Sequence, residues 1–220
     1  MSMGMTSAPR IVTKEVPSWR LVALMTAAGA LAGLLIVTAF QATLPRIQHH
    51  QGEVMQLAIQ EVLKSPARYD TLYLQNGALV KKLPAGVSQK GIEKVFLGYD
   101  ANGKRVGFAV SAAENGFQDL VTLMFGYDAA THQLIAMKVI ANKETPGLGD
   151  KIAKDQTFID GFVDATAPIK GIKYGTTKGA SDVVMITGAT ISSRAVIRII
   201  NNAITRWQPL MDAYREETKS

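Results

Sequence analysis

The chain has no cysteine among its 220 residues. That absence excludes disulfide bonds, thiolate nucleophiles, iron–sulfur ligation by this chain and cysteine-based zinc sites. Histidine is almost as scarce, with three: His49, His50 and His132. None has a second ligand at metal-binding spacing, so all three read as solvated surface and no metal site is expected. The formal charge of +6 is spread along the chain, with no block of Lys and Arg interleaved with aromatic residues. Nucleic-acid binding is therefore not expected. No Ser-His-Asp spacing, no pair of carboxylates facing a cleft and no GxGxxG fingerprint appears, so no catalytic residue is assigned.

One long apolar run stands out against this background. Leu21 to Phe40 is twenty residues without a charge, which as a helix spans about 30 Å, the thickness of a bilayer core. Trp19 and Arg20 mark one interface, and Pro45-Arg46 is expected to close the other end. A cleaved signal peptide has a shorter apolar region and a small-x-small site, and Phe40-Gln41-Ala42 is a poor one. The reading is a retained single-pass anchor in a lipid bilayer. Arg10, Lys14 and Arg20 precede it against Glu15, and Arg46 follows. The positive-inside bias places the N-terminus in the cytoplasm and the rest outside. Ala27, Ala28, Gly29, Ala30 and Gly33 would allow another helix to approach closely, or simply face lipid. The organisation expected is 1–20 cytoplasmic, 21–44 transmembrane, 45–90 a connecting helix leading into the domain, and 91–220 the domain itself.

Beyond the membrane, Val54, Met55, Ala58, Val62 and Leu63 give helical spacing over Glu53 to Lys64, stopped by Ser65-Pro66. Leu72 to Pro84 is ambiguous, with a short strand pair around Asn76-Gly77 as one reading. Lys94–Asp100 and Lys104–Ser111 flank Asn102-Gly103, a strong hairpin signal, and Asp119–Tyr127 and Gln133–Ala141 flank a second turn. Both hairpins contain Gly-Tyr-Asp-Ala, at 98–101 and 126–129. The repeat is either a duplicated ligand site or an Asp that starts the same kind of turn twice. Asn142 to Asp150 is too rich in Gly and Pro for a regular element. A short helix over Asp155–Val163 follows, then a loop over Lys170–Ser181 and a buried strand over Asp182–Ile186. The final helix, from Ser192, turns Val196, Ile199, Ile200, Ala203, Ile204 and Trp207 inward until Pro209 kinks or ends it. The order gives an α+β domain with an antiparallel sheet and flanking helices.

Thr187-Gly188-Ala189-Thr190-Ile191-Ser192-Ser193 joins the buried strand to that helix. Small residues there let the backbone approach a ligand, and the free amides and dipole of a helix start favour a phosphate by roughly 0.3–1 kcal/mol. A strand, a Gly turn and a Ser cap also occur without any ligand, so spacing alone leaves both readings open.

The segment resembles the S/T-G-A-T motif of the FMN-binding domain family. Lys143-Glu144-Thr145-Pro146-Gly147-Leu148-Gly149 resembles that family's K-E-T-P-G-L-G signature, found in the G subunit of the Rnf electron-transport complex and, in related form, in the C subunit of the sodium-translocating NADH:quinone reductase. One N-terminal anchor and the order of the two motifs fit the Rnf type better. The resemblance implies FMN esterified through its phosphate to Thr190, with Thr187, Gly188, Ala189 and Ser192 around it. It implies that Glu144, Thr145, Gly147, Leu148 and Gly149 lie against the flavin. It further implies a bacterial inner-membrane protein with a periplasmic domain, a flavin transferase during maturation, and a covalent-FMN electron carrier among other subunits of an ion-translocating oxidoreductase, not catalytic alone. The family pattern usually has an acid six positions before the modified threonine, where this chain has Val184; the nearest acid is Asp182. Lys170, Lys173 and Lys178 are candidates to neutralise the phosphate, or solvated loop residues. The alternatives are a quinone-reductase C subunit or other flavin carrier, and a non-redox anchored scaffold.

Overall fold

The computed structural model describes residues 17–84, 86–88 and 91–214. Residues 1–16, which hold Arg10, Lys14, Glu15 and most of the expected cytoplasmic segment, lie outside the described residues, as do 215–220. The chain forms two compact units divided between Gln51 and Gly52.

Helix α1 (Ser18–Val62) runs unbroken for 45 residues. The helix therefore does not stop at Pro45-Arg46, the residues expected to close the membrane segment. Proline removes only one i→i−4 hydrogen bond, and a helix this long continues past it. Among the described residues, α1 is the one helix long and apolar enough to cross a membrane, and its apolar stretch is wholly unburied. It ends where the chain turns left-handed at Lys64 and Ser65, with φ of 53° and 60°. The Ser65 amide donates to the Gln60 carbonyl at 2.6 Å, which satisfies an end carbonyl before Pro66.

The second unit is built on one antiparallel sheet. Its strands are β1 (Arg68–Gln75), β2 (Ala78–Val80), β3 (Lys94–Tyr99), β4 (Arg105–Asn115), β5 (Leu120–Asp128) and β6 (Gln133–Ala141), in the order β2-β1-β3-β4-β5-β6. The ambiguous 72–84 stretch resolves as a hairpin in which Asn76 and Gly77 have φ of 49° and 78°, the two-residue turn that matches strand twist. One sheet face, with Leu97, Val110, Leu123 and Phe125, packs on the last helix. The other face, with Phe96, Ala109 and Met124, packs on Ala58, Ile59, Val62 and Leu63 of α1 and its end.

The Gly-Tyr-Asp-Ala repeat is structural. A Cβ at Gly126 would sit 2.1 Å from the Val62 carbonyl oxygen, and one at Gly98 would sit 2.7 Å from Leu63 Cδ1. These glycines let the end of α1 lie against the sheet. Tyr99 and Tyr127 are fully buried on the opposite face. The Asp100 carboxylate accepts from the Asn102 and Lys104 amides at 2.9 and 2.8 Å. Asp128 accepts from the Ala130 amide and the Thr131 hydroxyl at 2.9 and 3.0 Å. Packing thus accounts for the glycines and tyrosines, and a turn for each aspartate.

After the sheet come a 3-10 turn (Gly149–Ala153), α2 (Gln156–Asp160), β7 (Lys170–Ile172), β8 (Asp182–Val184) and α3 (Thr190–Ala213). Two expectations need correcting here. The 170–181 loop begins with a strand, because Lys170–Ile172 pairs in parallel with Asp182–Val184. Pro209 does not end α3; the helix runs on to Ala213 because Met211 and Tyr214 are buried beyond it. His132 also differs from a purely solvated ring. It is exposed, yet the Tyr127 hydroxyl and Gln208 Nε2 lie 3.0 and 3.1 Å from its Nδ1. Burial first, then Asp212 and Asp128, push the Tyr127 phenol up to about 12, so it stays protonated at neutral pH.

Candidate functional site

Three segments distant in sequence meet beside the start of α3. The β4–β5 turn brings Phe117. The loop after β6 brings Thr145, Leu148 and Gly149. The turn from β8 into α3 brings Gly188, Ala189, Thr190, Ile191 and Ser192. Together they line a cavity of about 260 Å³. Phe117, Leu148 and Ile191 stand around it with 63%, 51% and 56% of their surface in solvent. Three large apolar side chains held in water around one opening form a surface suited to a flat apolar ligand.

The turn into α3 is shaped by Gly188, whose φ of 83° is costly for any residue with a Cβ. Thr190 is the first helical residue, and the cap position, Ala189, supplies no side-chain hydrogen bond. The serines do not cap either. Ser193 Oγ donates to the Ala189 carbonyl at 2.9 Å and accepts from the Ile186 amide at 3.2 Å, tying β8's end to the helix. Ser192 Oγ donates to Glu144 Oε2 at 2.5 Å. The first turn of α3, which lines the cavity, thus has no capping side chain, and such orphan donors make a helix start receptive to an anion.

Glu144 lies behind the wall rather than in it. It is 4% exposed, and its Oε1 accepts from the Phe117 and Gln118 amides at 2.9 and 3.1 Å. Burial by itself would raise its pKa; the Ser192 hydroxyl and the amides of Gln118, Phe117 and Asp119 outweigh that and hold the carboxyl below its ordinary value. A Cβ at Gly116 would meet Glu144 Oε1 at 2.3 Å, and one at Gly149 would meet Oε2 at 2.7 Å. The carboxylate thus occupies a slot that both glycines leave open. Thr145 Oγ1 adds a bond to Gln118 Oε1 at 3.0 Å, and Lys143 pairs with Asp119 at 3.4 Å.

Residues 116–205, which contain all three segments, match the family model for the FMN-binding domain. That stretch is similar to the FMN-binding domain family. Over 185 residues it is 26% identical to the G subunit of an ion-translocating oxidoreductase complex of Methanosarcina acetivorans, covering 84% of this chain and 92% of that one. Over 187 residues it is 27% identical to the G subunit of the Na(+)-translocating ferredoxin:NAD(+) oxidoreductase complex of Acetobacterium woodii, covering 82% and 87%. In fold it is similar to NqrC of Shewanella oneidensis, with a TM-score of 0.55 at 16% identity over 70% of this chain and 88% of that one.

The cavity brings together seven residues singled out in the sequence: Thr145, Leu148, Gly149, Gly188, Ala189, Thr190 and Ser192. Glu144 supports it from behind, while Thr187 and Gly147 are exposed outside its lining. Phe117 and Ile191 join the lining without having been singled out. Ile191 carries a signal, as a large apolar residue on the solvent side of an amphipathic helix; Phe117 carries none, since only the sheet brings its turn here. Lys170, Lys173 and Lys178 do not line the cavity, and Lys178 reaches the Gly161 carbonyl at 3.4 Å instead. Asp182, the acid nearest to the family pattern, accepts from the Gly179 amide at 2.9 Å, and Val184 sits half-buried at the end of β8. The residues present suit FMN: apolar side chains for a ring, an uncapped helix start for a phosphate, and a threonine in the same lining.

Proposed function

We propose that this chain holds FMN joined through its phosphate to Thr190 and serves as an electron-carrying subunit of a membrane-bound, Rnf-type ion-translocating oxidoreductase. One observation carries the reading: a threonine on the first residue of an uncapped helix, at the lip of an apolar-walled cavity. The names of the relatives, G subunits of ion-translocating oxidoreductases, supply the setting. When bound, the flavin contributes the ability to take up and release electrons singly.

The polypeptide's part is to hold and to shield. The amides of the first turn of α3 and the helix dipole hold the remaining phosphate charge. Phe117, Leu148 and Ile191 keep water from an apolar ring. A covalent joint suits a compartment poor in free flavin, where a reversible site empties by mass action. A flavin transferase makes that joint during maturation, and Val184 in place of the usual acid sets this chain apart as its substrate. The apolar half of α1 tethers the domain to a bacterial inner membrane, with the N-terminus in the cytoplasm and the domain on the periplasmic side.

Protein matured in its native host tests this directly. The wild-type band should fluoresce under ultraviolet light on a denaturing gel, with an intact mass raised by one FMN group, and the Thr190→Ala band should be dark. The variant should still fold, since Thr190 opens the helix without capping it and alanine is the best helix former. A fluorescent Thr190→Ala band, or a wild-type mass equal to the bare polypeptide, would overturn the reading.

A further inference from the structure

Every wall of the cavity is tied to one side chain that does not touch its interior. Glu144 accepts from the Phe117 and Gln118 amides, which sets the β4–β5 turn and points Phe117 at the opening. It accepts from Ser192 Oγ, which fixes the first turn of α3 next to Thr190. Its own backbone begins the loop that carries Thr145, Leu148 and Gly149, and its amide donates to Asn142 Oδ1 at 3.2 Å. Gly116 and Gly149 leave no room for even a methyl group beside it. Among the described residues no cation shares the slot: its partners are one hydroxyl and backbone amides. A buried carboxylate held only by neutral donors keeps most of its field.

We propose that Glu144 is the positioning residue of the flavin site: its carboxylate locks the three cavity walls in register and places a fixed negative charge one hydroxyl behind them. This rests on the flavin reading above. It adds a consequence that a structural brace alone would not have. Reducing a flavin adds negative charge, and a fixed anion behind the wall opposes that, so Glu144 lowers the midpoint potential. A neutral residue of the same shape should relieve the opposition.

The test uses full-length wild type, Glu144→Gln and Ser192→Ala, each matured with its flavin, and reads the midpoint potential by spectroelectrochemistry and the flavin's accessibility by iodide quenching. Wild type bearing no covalent flavin would sink the flavin reading, whatever the variants do. Given flavin on wild type, Glu144→Gln that folds and carries flavin should titrate at a more positive potential. An unchanged or more negative value overturns the proposal. Should Glu144→Gln fail to fold or to take up flavin, Ser192→Ala decides, because it cuts only the link to α3 and leaves the carboxylate bonded to the turn amides. A raised iodide quenching constant in Ser192→Ala supports the brace, and a wild-type constant overturns it.

Discussion

At the scale of single residues, the site depends on which polar groups are satisfied and which are left open. Glu144, Ser192 and Ser193 are buried and bonded, whereas Thr190 stands at the cavity lip at the head of an uncapped helix. Burial of an ionised carboxylate is costly unless donors replace water; four donors do so at Glu144. The sign of its pH effect follows. Its pKa is lower in the folded chain than in the unfolded one, so its stabilisation is complete above the ordinary glutamate value and is lost as pH falls through the folded value. Asp70, Asp119 and Asp150 are lowered as well, so the wild type alone does not isolate one group. Urea midpoints of wild type and Glu144→Gln, compared from neutral to acid pH, do. The gap between them should be widest at neutral pH and narrow on acidification; a gap independent of pH would contradict the assignment.

At the scale of elements, the question is how close two backbones come and how a helix is kept from rolling. The end of α1 lies on the sheet only because Gly126 and Gly98 lack side chains. A methyl group at Gly126 meets the backbone of Val62 rather than a yielding side chain, so Gly126→Ala should destabilise the domain by about 1–3 kcal/mol, the usual range for overpacking. For a domain of this size that is a drop of roughly 2–4 °C in Tm per kcal/mol, measurable by thermal circular dichroism; an unchanged Tm would mean that α1 is not held there. Helix α3 is fixed on its polar side too. Arg198 bonds Glu114 at 3.1 Å and the Asn115 carbonyl at 2.5 Å, Asn202 bonds Glu114 at 2.9 Å, and Arg206 pairs with Glu93 at 2.5 Å. Each such surface pair contributes little alone. Their common effect is to set the roll of α3, and the roll decides where Thr190 faces.

At the scale of the whole molecule, the two units have separate demands. The unit beginning at Gly52 contains both core clusters and all of the cavity residues, while the unit ending at Gln51 contains the apolar stretch that no protein surface covers. A chain shortened to begin at Gly52 is therefore expected to be water-soluble and to unfold cooperatively, with a Tm within a few degrees of the full-length protein in detergent. Aggregation, or a broad non-cooperative melt, would show that the domain needs the preceding helix.

Local signals in the sequence mark most of the elements and one stretch of the cavity lining. Twenty uncharged residues, two hairpin turns, an amphipathic last helix and the Thr-Gly-Ala-Thr segment are local signals, and each is legible because its cause lies within a few residues. Tertiary structure decided the rest. Pro45 marks the expected close of the membrane segment and Pro209 an expected kink or end, yet both helices run on past them, the second toward buried residues. The short parallel pairing of Lys170–Ile172 with Asp182–Val184 has no local signature. Glu144 reads as a ligand contact because it stands inside a motif, and only the fold turns it inward to Ser192 and to the amides of a turn 26 and 27 residues earlier in the chain. Phe117 enters the site for the same reason. A sheet brings together segments that the sequence keeps far apart, and no local pattern encodes which of them will meet.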